Sequence, residues 1–179
     1  MKATVLESDR LIFKPLDTSY SSQRYVDWMN DFEVFKYLES GGDYTLEKLN
    51  QYLSDVENKS ILFWAINVGD KHIGNIKIDP INWKNKVGEL GIMIGDKSEW
   101  GKGYSKEAIE TIVQYCFSSQ VNLRKVTLGV IEDNEAALKL YKKLQFEIEG
   151  VYKLHALHDG KWCNNIRMAR FNPICYEHK

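Results

Sequence analysis

Apolar residues change their period several times along this chain, and each change marks an element. Leu11-Ile12-Phe13, followed by Lys14-Pro15, predicts a first strand ended by the proline. From Ser21 to Tyr37, the residues Tyr25, Trp28, Met29, Phe32 and Phe35, with Leu38 just beyond, recur at helical spacing. Thr45 can cap a further helix whose stripe is Leu46, Leu49, Leu53 and Val56. The period then shifts. Ile61 to Val68 is continuously apolar, Gly69-Asp70 makes a turn, and His72 to Asp79 returns as a second strand, so a hairpin is expected. A polar connection from Asn82 to Lys86 leads to a strand over Val87 to Ile94.

The second half alternates element types. Gly101 to Gly103 opens a helix with Ala108, Ile112 and Cys116 on one row and Ile109, Val113 and Phe117 on the next, a buried helical face. Lys125 to Val130 reads as a strand. Asp133 or Asn134 starts another helix, with Ala137, Leu140, Tyr141 and Leu144 expected to face inward. Phe146 to Leu157 and Asn164 to Phe171 read as strands joined around Asp159-Gly160. The order predicts an α+β fold, a sheet covered by helices.

With 179 residues, the chain is expected to form one domain over 1–179. A net charge of -1 shows no basic surplus, which argues against a nucleic-acid partner. The three cysteines (Cys116, Cys163, Cys175) form no CxxC and are odd in number, so reduced intracellular thiols are expected rather than a disulfide framework. Charge near the N-terminus leaves no signal-peptide core, and the apolar run Ile61 to Ile66 is too short to span a bilayer. No membrane association and a cytoplasmic location are the expectations.

The richest chemistry lies where the strand Val87–Ile94 runs into Gly95-Asp96-Lys97-Ser98-Glu99-Trp100-Gly101-Lys102-Gly103-Tyr104 and then into a helix. A helix start offers free N–H groups and the positive end of its dipole, and glycines let an anion approach the backbone. Together they predict a phosphate cradle, with Lys102 and Lys106 at its rim. It is not a P-loop, because Trp100 occupies the second glycine position. Nor is it a Rossmann fingerprint, because Lys106 stands where the third glycine is needed. A plain strand-to-helix turn remains the alternative.

A second constellation follows the next strand, from Asn134 through Ala137, Leu140-Tyr141 and Lys143 to Gln145-Phe146. Together with Trp100 to Tyr104 and Glu107-Ala108, it resembles the GNAT superfamily of acetyl-CoA-dependent N-acetyltransferases, especially the ribosomal-protein N-terminal acetyltransferase (Rim-type) branch. Ser8-Asp9-Arg10-Leu11, Glu149-Gly150 and Asp159-Gly160-Lys161-Trp162 also fit, so the resemblance covers nearly the whole chain. It implies a GNAT-like fold with a mixed, mostly antiparallel sheet of six to seven strands flanked by helices. It also implies acetyl-CoA as co-substrate and a small-molecule or peptide amine as acceptor; dimers are frequent among relatives. Gln145 departs from the pattern, standing where the family has a glycine that ends the helix in αL. Ser98 departs where the broader superfamily often has glutamine or arginine.

The resemblance assigns the pyrophosphate to the backbone of Gly101, Lys102, Gly103, Tyr104 and Ser105, counts Trp100 among the cofactor-binding residues, and gives the pantetheine arm to the backbone of Ile92, Met93 and Ile94. Asn134 and Ala137 would contact the cofactor, although Asn134 also reads as a plain helix cap. Tyr141 would protonate the departing thiolate, or be a core aromatic. Glu89 shares a strand face with Gly91 and Met93 and could accept the amine's proton, or be a salt-bridged surface glutamate. Trp28, Tyr37, Trp83 and His155 are candidates for the acceptor pocket, with core packing as the competing reading for the aromatics. No metal is expected, because His155, His158 and Cys163 match no common zinc spacing. The acceptor stays open among a protein N-terminus, an amino sugar, a polyamine and another small amine. A catalytically weak CoA-binding sensor or interaction module is the alternative function.

Overall fold

The computed structural model describes residues 1–38, 40–158 and 160–176. Its elements are β1 (Leu6–Glu7), β2 (Ile12–Pro15), α1 (Gln23–Asn30), α2 (Phe32–Phe35), α3 (Leu46–Asn58), β3 (Leu62–Val68), β4 (Lys71–Asn82) and β5 (Val87–Ile94). They continue with α4 (Tyr104–Phe117), β6 (Lys125–Ile131), α5 (Glu135–Lys143), β7 (Glu147–His158), β8 (Lys161–Phe171) and α6 (Pro173–Tyr176). The hydrogen-bonded strand order is β1-β2-β3-β4-β5-β6-β8-β7. β5 and β6 run parallel; the pairs β1–β2, β2–β3, β3–β4, β6–β8 and β7–β8 are antiparallel. This is the expected α+β class with a mostly antiparallel sheet. It has eight strands rather than six or seven because β1 is two residues long, too short for periodicity to register.

Two compact units make up the chain, one of Met1–Asp79 with Gly91–Thr111, the other of Pro80–Leu90 with Ile112 onward. In the first, Leu16, Tyr25, Trp28, Leu49, Leu53 and Phe63 belong to one buried cluster. The helix expected from Ser21 to Tyr37 is broken at Asp31, whose carboxylate accepts from the Glu33 N–H and so starts α2 just after α1 ends. Thr45 caps α3 as expected, and Leu49 and Leu53 are fully buried while Leu46 is exposed.

In the second unit, β5 pairs with β6 from Val87↔Lys125 to Glu89↔Thr127, and β8 lies between β6 and β7. Alternation gives the sheet two different faces. Val126, Leu128, Val130 and Met168 are buried on one, while Thr127, Gly129, Asn165 and Arg167 share the other. β7 carries register irregularities between Ile148 and Gly150 and between Tyr152 and Ala156. Within the latter, Leu154 takes φ +47 and its N–H donates to Asn164 Oδ1 at 2.9 Å.

The inward face expected for α5 is only partly so. Leu144 is buried just after the helix, but Ala137, Leu140 and Tyr141 stay half-buried, because α5 buries no residue fully. Gln145 adopts the αL conformation itself, at φ +62, where the family pattern has glycine. The Asp159-Gly160 turn falls partly outside the described residues; Gly160 has φ +71. No helix among the described residues is long and apolar enough to cross a membrane.

Candidate functional site

In the first unit, β5 ends at Ile94 and a short 3-10 turn, Lys97–Glu99, precedes the glycine loop. Gly101 and Gly103 both lie at positive φ, +76 and +83, which L side chains rarely adopt. A Cβ added at Gly101 would meet nothing within 4 Å, and one at Gly103 would meet only Arg10 Nη2, at 3.6 Å. The loop therefore presents bare backbone to open space. The first N–H groups of α4 lie beyond it with no intrahelical acceptor. That is the geometry a pyrophosphate requires.

The loop is held from two sides. Trp100 is exposed, yet its indole N–H donates to the Ile94 carbonyl at 2.8 Å, tying the loop to the end of β5. Glu107 in the first turn of α4 accepts from the Ser8 hydroxyl (2.8 Å), the Arg10 N–H (2.8 Å) and Arg10 Nε (2.7 Å). Arg10 Nη1 donates onward to the Lys102 carbonyl at 3.0 Å, and its guanidinium lies over the Tyr104 ring. Burial opposes ionisation of Glu107, but the Ser8 and Arg10 donors hold its carboxyl below the usual range. The Lys102 ammonium is shared with Glu99 at 2.7 Å, so part of the charge expected at the rim is spent within the loop. Ile92, Met93 and Ile94 are half-buried on β5.

In the second unit, Asn134 caps α5, its Oδ1 accepting from the Ala137 N–H at 3.2 Å. Its Nδ2 makes no hydrogen bond among the described residues and stays available as a donor. The Tyr141 ring meets Phe146 edge-on at 5.8 Å. Burial pushes the Tyr141 phenol up to about 12, so it stays protonated at any physiological pH.

Glu89 lines a cavity of about 590 Å³ together with Pro80, Ile81, Trp83, Val87, Gly88 and Thr127. Its carboxylate is held bidentately by Arg167, Oε1 to Nη1 and Oε2 to Nη2, each at 2.9 Å. The structure thus forms the salt-bridged alternative for Glu89 while placing it in a cavity wall. Trp83 lines the same cavity and is 46% exposed. His155 is exposed on β7, its ring 5.1 Å from that of Tyr152. The Arg167 guanidinium lies 5.6 Å from the same Tyr152 ring.

Two acceptor candidates are placed elsewhere. Trp28 is a core residue, packed against Tyr25 and His72 and so close to Gly95 that a Cβ there would stand 2.2 Å from its ring. It does not line the cavity. Tyr37 is half-buried in the turn after α2, beside the Lys36 ammonium, within the first unit. Nothing in hydrophobic periodicity marks Arg10 or Arg167, the two cations that organise these places. The signal available for Arg10 was its place in the Ser8-Asp9-Arg10-Leu11 motif; Arg167 had none of that kind.

Comparison with known proteins gives a consistent result. The family model described as "Acetyltransferase (GNAT) domain" matches residues 10–147. The uncharacterized N-acetyltransferase YoaA of Bacillus subtilis (strain 168) is 28% identical over 165 residues, covering 87% of this chain and 90% of that protein. The spermidine N(1)-acetyltransferase of Escherichia coli (strain K12) is 28% identical over 159 residues, covering 87% and 84%. Among solved structures, RimL, a ribosomal alpha-N-protein acetyltransferase in complex with coenzyme A, superposes with a TM-score of 0.84 at 15% identity, over 94% of this chain and 98% of that one.

Proposed function

The chain belongs to the acetyltransferase (GNAT) domain family, and from that premise we propose that it acetylates a primary amine bound beside Glu89. It is an acetyl-CoA-dependent N-acetyltransferase. The observation that carries the reading is the bare backbone of Gly101 and Gly103 ahead of α4, fastened by Arg10 and Glu107. Gly101 to Ser105 would hold the pyrophosphate and the β5 backbone at Ile92–Ile94 the pantetheine arm; Asn134 Nδ2 is a candidate cofactor donor within its own unit. The motif matches at Trp100–Tyr104 and Asn134–Phe146 support membership of the Rim-type branch, with a small amine or a peptide N-terminus as acceptor.

The chemistry needs a neutral amine, a polarised thioester carbonyl and a proton for the leaving thiolate. Glu89 is the group in its cavity suited to take the amine's proton. Tyr141 would supply the thiolate's proton. At about 12 it lies well above a free thiol at about 8.5, so full transfer to the thiolate is uphill. Its hydroxyl therefore acts as a hydrogen-bond donor that completes the transfer only as the sulfur becomes anionic. Tyr141→Phe is expected to lower kcat about 10²-fold with acetyl-CoA affinity and thermal midpoint unchanged. Wild-type kcat in the folded variant would exclude that role.

One observation favours the second reading, a CoA-binding sensor: Arg167 engages both oxygens of Glu89. Thiol release from acetyl-CoA across a panel of amines separates the two. Turnover on any acceptor establishes the enzyme; CoA binding without turnover on all of them establishes the sensor.

A further inference from the structure

Arg167 reaches Glu89 across β6, and the sequence makes room for it. Arg167 pairs in register with Gly129, and Asn165 with Ile131. A Cβ on Gly129 would stand 2.6 Å from Arg167 Nη1 and 2.6 Å from Asn165 Oδ1. Both side chains therefore converge over the one position on β6 that lacks a side chain. Asn165 Oδ1 is buried there without a hydrogen-bond partner among the described residues, an acceptor left waiting for a donor. The result is a guanidinium, a carboxylate and an orphaned amide oxygen gathered on one sheet face, with Glu89 opening into the cavity.

The charges of this group limit what the cavity can take. Glu89 is the single carboxylate among the cavity-lining residues, and Arg167 already neutralises it. A polyamine, with about three positive charges, would find no second carboxylate in the wall and would meet the guanidinium. An amine that carries its own carboxylate meets the opposite situation. Its ammonium can take Glu89 while its carboxylate takes the fork of Arg167, so one ion pair is exchanged for two and no charge is left unpaired. Arg167 suits that exchange because a planar fork binds a carboxylate with two parallel hydrogen bonds. Pro80, Ile81, Trp83 and Val87 offer the rest of the molecule an apolar wall.

We propose that the acceptor is a free amino acid, recognised by Arg167 through its carboxylate and by Glu89 through its amine. This rests on the acetyltransferase reading above and adds the substrate class. The same exchange prepares the chemistry, because drawing Arg167 away frees a Glu89 oxygen to receive a proton. The amine nitrogen then bonds to the thioester carbonyl carbon and the carbon–sulfur bond breaks. Of the two protons the ammonium loses, one leaves through Glu89 to water. The other replaces the proton that Tyr141 gives the thiolate, and the products are an N-acetyl amino acid and free coenzyme A.

The test pairs L-amino acids with the amines left when their carboxylate is removed, such as phenylalanine with phenethylamine, and includes spermidine. Thiol release is expected to favour the amino acid by about 10²-fold in kcat/KM, since a site built for a polar group rejects the analogue that lacks it. In Arg167→Met that ratio should collapse toward one, and Arg167→Lys should retain part of it. Gly129→Val, which pushes the guanidinium aside without altering its charge, should lower the ratio as well. Equal turnover of amino acid and amine, preference for spermidine, or an unchanged ratio in Arg167→Met would overturn the proposal. Calorimetric titration without acetyl-CoA judges it independently of turnover. Binding of phenylalanine but not phenethylamine supports it even if no acceptor is acetylated, whereas equal binding or none refutes it.

Discussion

Gln145 shows what a single residue costs when its backbone is dictated from outside. It follows α5, and Phe146 turns back so that its N–H donates to the Tyr141 carbonyl at 3.0 Å, which requires αL at the residue between Leu144 and Phe146. A non-glycine residue adopts αL at a cost of about 1 kcal/mol or more. Gln145 is exposed and makes no side-chain hydrogen bond among the described residues, so nothing local offsets that cost. Gln145→Gly is expected to raise the thermal midpoint by roughly 2–4 °C, measured by calorimetry, with turnover unchanged. The departure was visible in the sequence; that the chain would still take αL was not. The same holds for function. Asn134 was legible as a cap because a cap depends on a neighbour three residues away. The partner of Glu89 lies 78 residues further on, and no local pattern announces it.

Among the elements, α4 depends most on something outside itself. Its first turn is anchored through Glu107 to Ser8 and Arg10, 99 and 97 residues earlier. Glu107→Gln keeps the shape but weakens the charged hydrogen bonds, each worth about 1.5–3 kcal/mol. Acetyl-CoA affinity is expected to fall about tenfold by calorimetric titration, because the loop that presents Gly103 would lose the Arg10 brace. The sign with pH follows from the lowered carboxyl. This contribution is complete above the unfolded glutamate range near 4.3 and is lost as the pH falls through the lower folded value. Elements with a strong period, such as α3, β3 and β6, were legible because one face or all of each is buried. The break at Asp31 was not, because a cap is a hydrogen bond and leaves the apolar spacing intact. The half-covered α5 was not either, since amphipathicity says which face is apolar but not what covers it.

At the scale of the whole molecule, His72 is the buried imidazole among the described residues, and the proposed chemistry does not use it. His72 lies among the rings of Tyr20, Tyr25 and Trp28, with Nε2 near the Gly74 carbonyl and Asn75 Oδ1 at 3.0 and 2.9 Å. Burial lowers its pKa, opposed by those two hydrogen bonds and assisted by the charge of Arg24. Below about pH 6.5 the unfolded chain binds a proton there that the folded one refuses, so stability falls with pH until the folded value is reached. One proton sets a ceiling of about 1.4 kcal/mol per pH unit on that slope. Thermal midpoints from pH 8 to pH 5 should decline less steeply in His72→Gln than in the wild type; parallel curves would remove His72 from the account. The strand order has a consequence of another kind. β8 pairs with β6 over Lys125–Ile131 on one side and with β7 on the other, yet it follows both in the chain. During synthesis, β6 and β7 therefore emerge from the ribosome as neighbours in sequence that cannot yet be neighbours in the sheet. The Arg167 that neutralises Glu89 arrives with the strand that closes the gap, so a nascent chain carries Glu89 without its counter-ion until translation has passed β8.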